Sequence, residues 1–373
     1  MKLNRHSRLA TTAALGALVL ALAACGSDNA VQDTTTDGAT PTADTADLSG
    51  ELNGAGSSAQ ESAMDAWRAG FQSSYPDVTI NYDPVGSGGG RTQFLDGSVA
   101  FAGSDSALTT EELATATDRC FGTAAVDLPV YVSPIAVIFN LSGIDTLNLS
   151  AETTAKIFAG TITTWDDAAI AAENPDVTLP ATAITTVHRS DESGTTKNFT
   201  DYLSKASNGA WTYEASGDWP IEGGQSAQGT SGLVQTVEGG EGTIGYADFS
   251  KAGDLGIASI KVGEEWVAPS EEAAALVLDV SPRDEERAEG DIVIKVDRTT
   301  TEAGAYPLIL VSYLVACQGY ETQEDVDLVK AFLTFVASAE GQSASESSAG
   351  SAPISDALRA DVQASIDAIT IAS

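Results

Sequence analysis

Three segments of the chain share one design, in which a strand runs into small hydroxyl and glycine residues and then into a helix. They are Gly54-Ala55-Gly56-Ser57-Ser58, Gly86-Ser87-Gly88-Gly89-Gly90 and Arg189-Ser190-Asp191-Glu192-Ser193-Gly194-Thr195. Each presents backbone N–H groups that lack intrahelical partners, beside hydroxyl donors, at the positive end of a helix dipole. That chemistry suits an anion. A single such turn is usually only a helix cap. Three of them, one led by an arginine, point to a shared anion site. Arg189 offers a planar fork that fits an oxyanion. Asp191, two residues on, is placed to pair with it and hold its orientation; the alternative is an exposed ion pair worth under about 1 kcal/mol.

Asp105 belongs to the same reading for a less obvious reason. A carboxylate repels an anion unless the anion carries a proton, because an ionised Asp only accepts hydrogen bonds. Hydrogen phosphate can donate one; sulfate, fully ionised near neutrality, cannot. An acceptor left facing a second anion is costly, so Asp105 would act as a discriminator. The alternative is that Asp105 caps a turn before Ala107-Leu108.

These residues need an α/β framework to converge. Strands and helices alternate along the chain, which suggests layered α/β architecture. Ser58 to Glu61 and Thr109 to Glu112 both match a capping box, and the first precedes a helix with Met64, Trp67 and Phe71 on one face. Tyr75-Pro76 stops that helix. Val78–Tyr82, Val99–Gly103, Ile184–His188, Thr243–Ala247 and Ile292–Val296 read as strands, residues 150–178 as mostly helical, and Asp325–Ala337 and Ile354–Ile369 as helices. The apolar run Val130–Asn140 is interrupted by Ser133-Pro134, where proline disfavours one continuous central strand. We read it as an outward crossover between two domains, with Tyr306–Ala316 as the return. Gly240-Glu241-Gly242-Thr243-Ile244-Gly245 fits G-x-G-x-x-G but opens no helix; it reads as a hairpin turn and not a dinucleotide site.

The N-terminus reads as an address. Lys2, Arg5 and Arg8 precede an apolar run that ends in Leu22-Ala23-Ala24-Cys25-Gly26, the pattern of a secretory leader. The cysteine after small residues resembles a bacterial lipobox, which implies cleavage after residue 24 and lipidation of Cys25. Residues 25–49 hold five Asp, six Thr and no aromatic residue, so they read as a disordered tether. Three of the 18 Lys and Arg fall in the leader, leaving 15 against 53 Asp and Glu. Such acidity argues against nucleic acid and against electrostatic docking on anionic lipid. It also means an anion must be held by locally aimed dipoles. Beyond Cys25 only Cys120 and Cys317 remain, which suggests one disulfide in an oxidising compartment, the alternative being two buried thiols. His188 is the one histidine after the leader. A His-rich zinc site and a His-based catalytic cluster therefore find no support. Trp165, Trp211 and Trp219 read as core rather than as sugar-stacking platforms.

At this point the chain resembles the phosphate-binding proteins of bacterial phosphate ABC importers, over roughly residues 50–373. Residues 189–195 are similar to that family's R-S-D-x-S-G-T, and residues 54–58, 85–89 and 101–105 resemble three further motifs. The resemblance implies a two-domain periplasmic-binding-protein-like α/β fold with a two-stranded hinge and an interdomain cleft. Domain I would take residues 50–132 and 306–373, and domain II residues 133–305. It implies ligand contacts from Ser58, Ser87, Asp105, Arg189, Ser193, Gly194 and Thr195, and from the backbone of Ala59, with Asp191 orienting. Gln225-Ser226-Ala227-Gln228-Gly229 is looser than the family pattern and is assigned no ligand contact. The expected partners are inorganic phosphate and membrane permease subunits, with no cofactor, no metal, no nucleic acid, membrane contact only through the lipid anchor, and a monomeric state on the outer face of the cell membrane. Competing readings are a binding protein for sulfate, molybdate, arsenate or a sugar, a structural lipoprotein, and a secreted phosphatase-like hydrolase. The last needs a metal or an activated nucleophile, which the sequence does not display.

Overall fold

The computed structural model describes residues 48–372. The leader, Cys25 and the tether up to residue 47 lie outside the described residues. β1 (Gly50–Gly56) leads to α1 (Glu61–Ser74), β2 (Val78–Asp83), α2 (Ser87–Leu95), β3 (Phe101–Ser104) and α3 (Thr110–Arg119). β4 (Ala125–Asn140) then carries the chain into a second lobe. That lobe holds β5 (Thr146–Asn148), α4 (Ala151–Phe158), α5 (Ala168–Glu173), β6 (Thr185–Arg189), α6 (Gly194–Ala206), β7 (Gln225–Ala227) and α7 (Gly229–Glu238). It continues through β8 (Thr243–Asp248), β9 (Gly256–Val262), β10 (Glu265–Val267) and α8 (Glu271–Val280). The chain returns in β11 (Ile309–Cys317) and closes the first lobe with β12 (Gly319–Tyr320), α9 (Gln323–Ala337), α10 (Ala339–Ala349), α11 (Asp356–Asp367) and β13 (Thr370–Ile371).

One sheet runs through both lobes in the order β2-β1-β3-β11-β4-β8-β6-β7, with β9 also against β4 and carrying β5 and β10. Its outer thirds are parallel, as β-α-β connections require. Its centre is antiparallel, where β4 meets β11 and β8. Helices therefore start at the same end of the parallel strands in each lobe, and their N-termini face one cleft.

The run broken by proline in the sequence is a single strand of 16 residues. The prolines are tolerated because neither N–H is needed. Pro129 adjoins the bulge that skips Val130 opposite Ser312 and Tyr313. Pro134 sits where β4 exchanges β11 for β8: Ile309 is its partner, and Asp248 faces the next residue, Ile135. β4 thus passes unbroken from its pairing with β11 to its pairing with β8, where the sequence predicted an interruption.

Three other expectations need correction. Ile292–Val296 is not a strand; only an isolated bridge between Arg283 and Ile294 forms there, and the segment is tied instead by Ile292 N–H to Asp127 O. Gly240–Gly242 joins α7 to β8 and so is a helix-to-strand turn rather than a hairpin. Residues 150–178 contain two short helices around a loop whose Trp165 is fully buried, its Nε1 donating to Gly242 O. The capping box predicted at Thr109 forms with both of its bonds.

The first lobe's core follows the α1 stripe. Ala63, Met64, Trp67 and Phe71 are buried, and Trp67 Nε1 donates to Gly341 O at 2.8 Å. Phe71 meets Phe332 and Phe335 edge-on. Cys120 and Cys317 form a disulfide across 197 residues, stapling the end of α3 to the end of β11.

Candidate functional site

The turns read from sequence converge between the lobes. β3 ends at Ser104, so Asp105 projects from the first lobe into the cleft, with 3% of its surface exposed. Its carboxylate accepts from both sides. Oδ1 receives the hydroxyls of Ser57 at 2.5 Å and Ser312 at 2.8 Å, and Oδ2 that of Thr195 at 2.9 Å. Ser57 and Ser312 belong to the first lobe and Thr195 to the second. Asp105 N–H donates to Ser87 Oγ at 3.1 Å. A buried carboxylate is stable only with such hydrogen bonds. Asp105 therefore does more than cap a local turn.

The second lobe supplies Arg189 at the end of β6. Its Nε donates to Asp191 Oδ1 at 2.8 Å and its Nη2 to Asp191 Oδ2. The arginine side chain is 3% exposed, so the pair is buried and not the exposed alternative. Nη1 makes no hydrogen bond among the described residues. Asp191 also accepts Gly229 N–H at 3.1 Å, which fixes the carboxylate from a third direction. Ser193 caps α6 by accepting Thr196 N–H, placing Gly194 and Thr195 in its first turn. The lobes approach so closely here that side chains are excluded at two glycines. A Cβ on Gly86, whose φ is +98°, would lie 2.3 Å from Asp191 Oδ2. One on Gly194 would lie 2.6 Å from Ser87 Oγ.

Ser58 departs from its expected local role. α1 begins at Glu61 with Gln60 at the N-cap and no side-chain cap, so the capping box does not form. Ser57 turns the chain instead, its Oγ accepting from Ala59 N–H at 3.2 Å and Gln60 N–H at 3.3 Å. Ser58 is thereby released to face the other lobe. Its Oγ accepts Thr230 N–H at 3.0 Å and lies 3.0 Å from Thr230 Oγ1. The fully buried Ala59 keeps its N–H on Ser57.

Sequence reasoning missed several residues around this cluster. Ser312 comes from the middle of the apolar strand β11, where nothing local marks it. Gly229 and Thr230 open α7 after β7, a strand–glycine–hydroxyl–helix segment of the same design as the other three; that design was the available signal. Arg91 on α2 is buried and donates to Glu112 at 2.8 Å, to Ser104 and Ser106, and across the cleft to Glu192 at 3.2 Å. Burial works against its charge, but Glu192 and Glu112 outweigh that and hold its pKa above the usual value. Tyr82, whose hydroxyl donates to Ser57 O, is held well above the usual tyrosine range by burial and then by nearby Asp105.

A cavity of about 810 Å³ opens beside Asp105, its walls including Leu108, Lys197, Asn198, Arg287 and Arg298. His188 stacks on Trp219 at 5.1 Å, and its ring nitrogens face the carbonyls of Arg189 and Gly223. It does not contact Ser193, so no serine–histidine pair exists here. Among the described residues no group of three or more His, Cys, Asp or Glu is arranged to hold a metal ion. No helix among them is long and apolar enough to cross a membrane.

The model of the PBP superfamily domain matches residues 21–340. The chain is 38% identical to phosphate-binding protein PstS 3 of Mycobacterium tuberculosis, over 99% of this chain and all of the relative. Among solved structures it resembles a high affinity periplasmic phosphate-binding protein (PfluDING) bound with phosphate, at a TM-score of 0.69 and 22% identity, covering 84% of this chain and 93% of that one. It also resembles the phosphate binding protein of Stenotrophomonas maltophilia, at a TM-score of 0.63 and 20% identity, covering 85% and 94%. At those identities the structural likeness speaks for the fold alone. The full-length sequence relationship goes further, and with the family match it places this chain in the PBP superfamily, among the PstS phosphate-binding proteins.

Proposed function

We propose that this chain captures inorganic phosphate in the cleft between its lobes and delivers it to the membrane permease of an ABC importer. The observation that carries the reading is the buried carboxylate of Asp105, an acceptor set among hydroxyls from both lobes in a cleft that also presents the Arg189 fork. An acceptor and a cation together suit an oxyanion that still bears a proton. The ligand set is Ser58, Ala59, Ser87 and Asp105 from one lobe and Arg189, Ser193, Gly194 and Thr195 from the other, with Asp191 aligning Arg189. Residues 50–132 and 306–373 would move as one domain and 133–305 as the other, hinged at β4 and the segment leading into β11. Phosphate contacted from both sides then favours the closed form.

The protein acts as a binder and not as a catalyst, works as a monomer, and is held outside the cell by a lipid on Cys25. The relatives' names, which are those of phosphate-binding proteins, support the first of these. Arsenate and sulfate are the competing oxyanions. Calorimetry on anion-stripped protein tests the reading: tight one-to-one phosphate binding with no sulfate heat is expected. Absence of phosphate heat from folded protein would overturn it. Turnover of a phosphate monoester, with or without a divalent metal, would favour the hydrolase reading instead.

A further inference from the structure

Asn198 lies one turn after Gly194 on α6. Its Nδ2 donates to Gly194 O at 2.9 Å and, across the cleft, to Asp105 O at 2.6 Å. Its Oδ1 accepts from Arg298 Nη2. A side-chain amide could otherwise sit either way round, but a guanidinium only donates, so Oδ1 must face Arg298 and the NH₂ must face the two carbonyls.

Arg298 is itself fixed. It is 3% exposed, its Nε donates to Asp201 Oδ2 at 3.0 Å, and its Nη1 donates to Pro307 O at 3.0 Å and Ile309 O at 2.6 Å. Those carbonyls flank Leu308, whose own carbonyl accepts Ile135 N–H where β4 passes between lobes. One hydrogen-bonded chain therefore runs from the hinge through Arg298 and Asn198 to the backbone of Asp105. The same helix also sends Thr195 to the carboxylate of Asp105. Asp105 is thus gripped at two points by α6, in the arrangement of the lobes seen here.

We propose that Asn198 is a positioning residue that clamps the closed cleft by holding the Asp105 backbone, with its amide orientation set by Arg298. This rests on the phosphate-capture reading and goes beyond it. Affinity in a two-lobed binder is the intrinsic affinity scaled by the closed population. A bond made only on closure therefore slows release without touching the ligand. Asn198 lines the cavity beside Asp105, which bears on how its loss would be felt. A smaller side chain admits water that can satisfy Asp105 O. An acceptor-only side chain cannot be rescued in that way.

The test uses Asn198→Ala and Asn198→Asp in the full chain at neutral pH, with phosphate and sulfate as probes. Aspartate still accepts from Arg298 and adds an ion pair, so the unliganded fold should keep its thermal midpoint. It has no donor for the two carbonyls, however, and should disfavour closure. Phosphate affinity should fall roughly 3- to 10-fold in the alanine variant and roughly 10- to 100-fold in the aspartate variant, carried by faster release. The preference for phosphate over sulfate should not change. Small-angle scattering in excess phosphate should give a larger radius of gyration for Asn198→Asp than for wild type. Wild-type affinity in the aspartate variant, or a loss of selectivity alongside affinity, would overturn the proposal. If wild type itself gives no phosphate heat, the capture reading fails. The clamp is then judged by scattering alone, where equal radii for wild type and Asn198→Asp would overturn it.

Discussion

Replacing Asp105 with Asn tests the discriminator at a single atom. Oδ1 receives two hydroxyls, from Ser57 and Ser312, whereas Oδ2 receives only Thr195. The amide of Asn should therefore keep its carbonyl toward the two serines and place its NH₂ at the Oδ2 position. Thr195 can rotate its hydroxyl to accept, so no buried group is stranded and the fold should survive. The site changes sign at that point, from acceptor to donor. Hydrogen phosphate loses a charge-assisted bond worth about 1.5–3 kcal/mol, which is roughly a 10- to 150-fold loss of affinity. Sulfate loses a like-charged acceptor and gains a donor, so its affinity should rise by a comparable factor. The phosphate-over-sulfate ratio should then fall by about 10² or more. Calorimetric titration of both anions into wild type and variant at neutral pH measures it. An unaltered ratio would refute the argument and return Asp105 to a turn-forming role.

Other perturbations probe the frame around that residue. Arg189→Ala should abolish tight phosphate binding while urea unfolding of the unliganded protein shows a cooperative transition; unchanged affinity would remove Arg189 from the ligand set. Replacing Cys120 and Cys317 by Ser should lower stability by about 5 kcal/mol in the chain-entropy model, given the 197-residue separation. An unchanged denaturant midpoint would show the bond to be dispensable. Asp248, the buried last residue of β8, bonded to Tyr131 of β4 and to Ser250, has its pKa pushed up to about 6 by burial. The native state holds this proton more tightly than the unfolded chain. The group's contribution is therefore full below about pH 4 and lost as pH rises to about 6, a change of about 3 kcal/mol. The stability difference between wild type and Asp248→Asn should vary with pH by about that amount over this window, and a flat difference would contradict the assignment.

Some of the molecule was legible because its determinants are local. The three glycine–hydroxyl turns, the Arg189–Asp191 pair two residues apart, the Thr109 capping box and the α1 stripe all lie within a few residues of themselves. Strand and helix order followed from the same short-range patterns. Where tertiary partners compete with local rules, the reading failed. Pro134 predicted a break, yet a change of partner strand makes its missing N–H harmless. Ile292–Val296 has strand composition but no strand beside it to pair with fully.

The sequence by itself determined that three glycine–hydroxyl turns follow strands in an α/β chain, because such turns are formed by residues adjacent in the chain. Only the tertiary structure decided which groups meet Asp105. Thr195 is 90 residues away in the chain, Asn198 is 93 and Ser312 is 207. It likewise decided that Ser58 leaves its helix for Thr230, 172 residues on. Such pairings depend on how two lobes fold against each other, and hydrogen bonds across that distance leave no periodic trace in the chain that makes them.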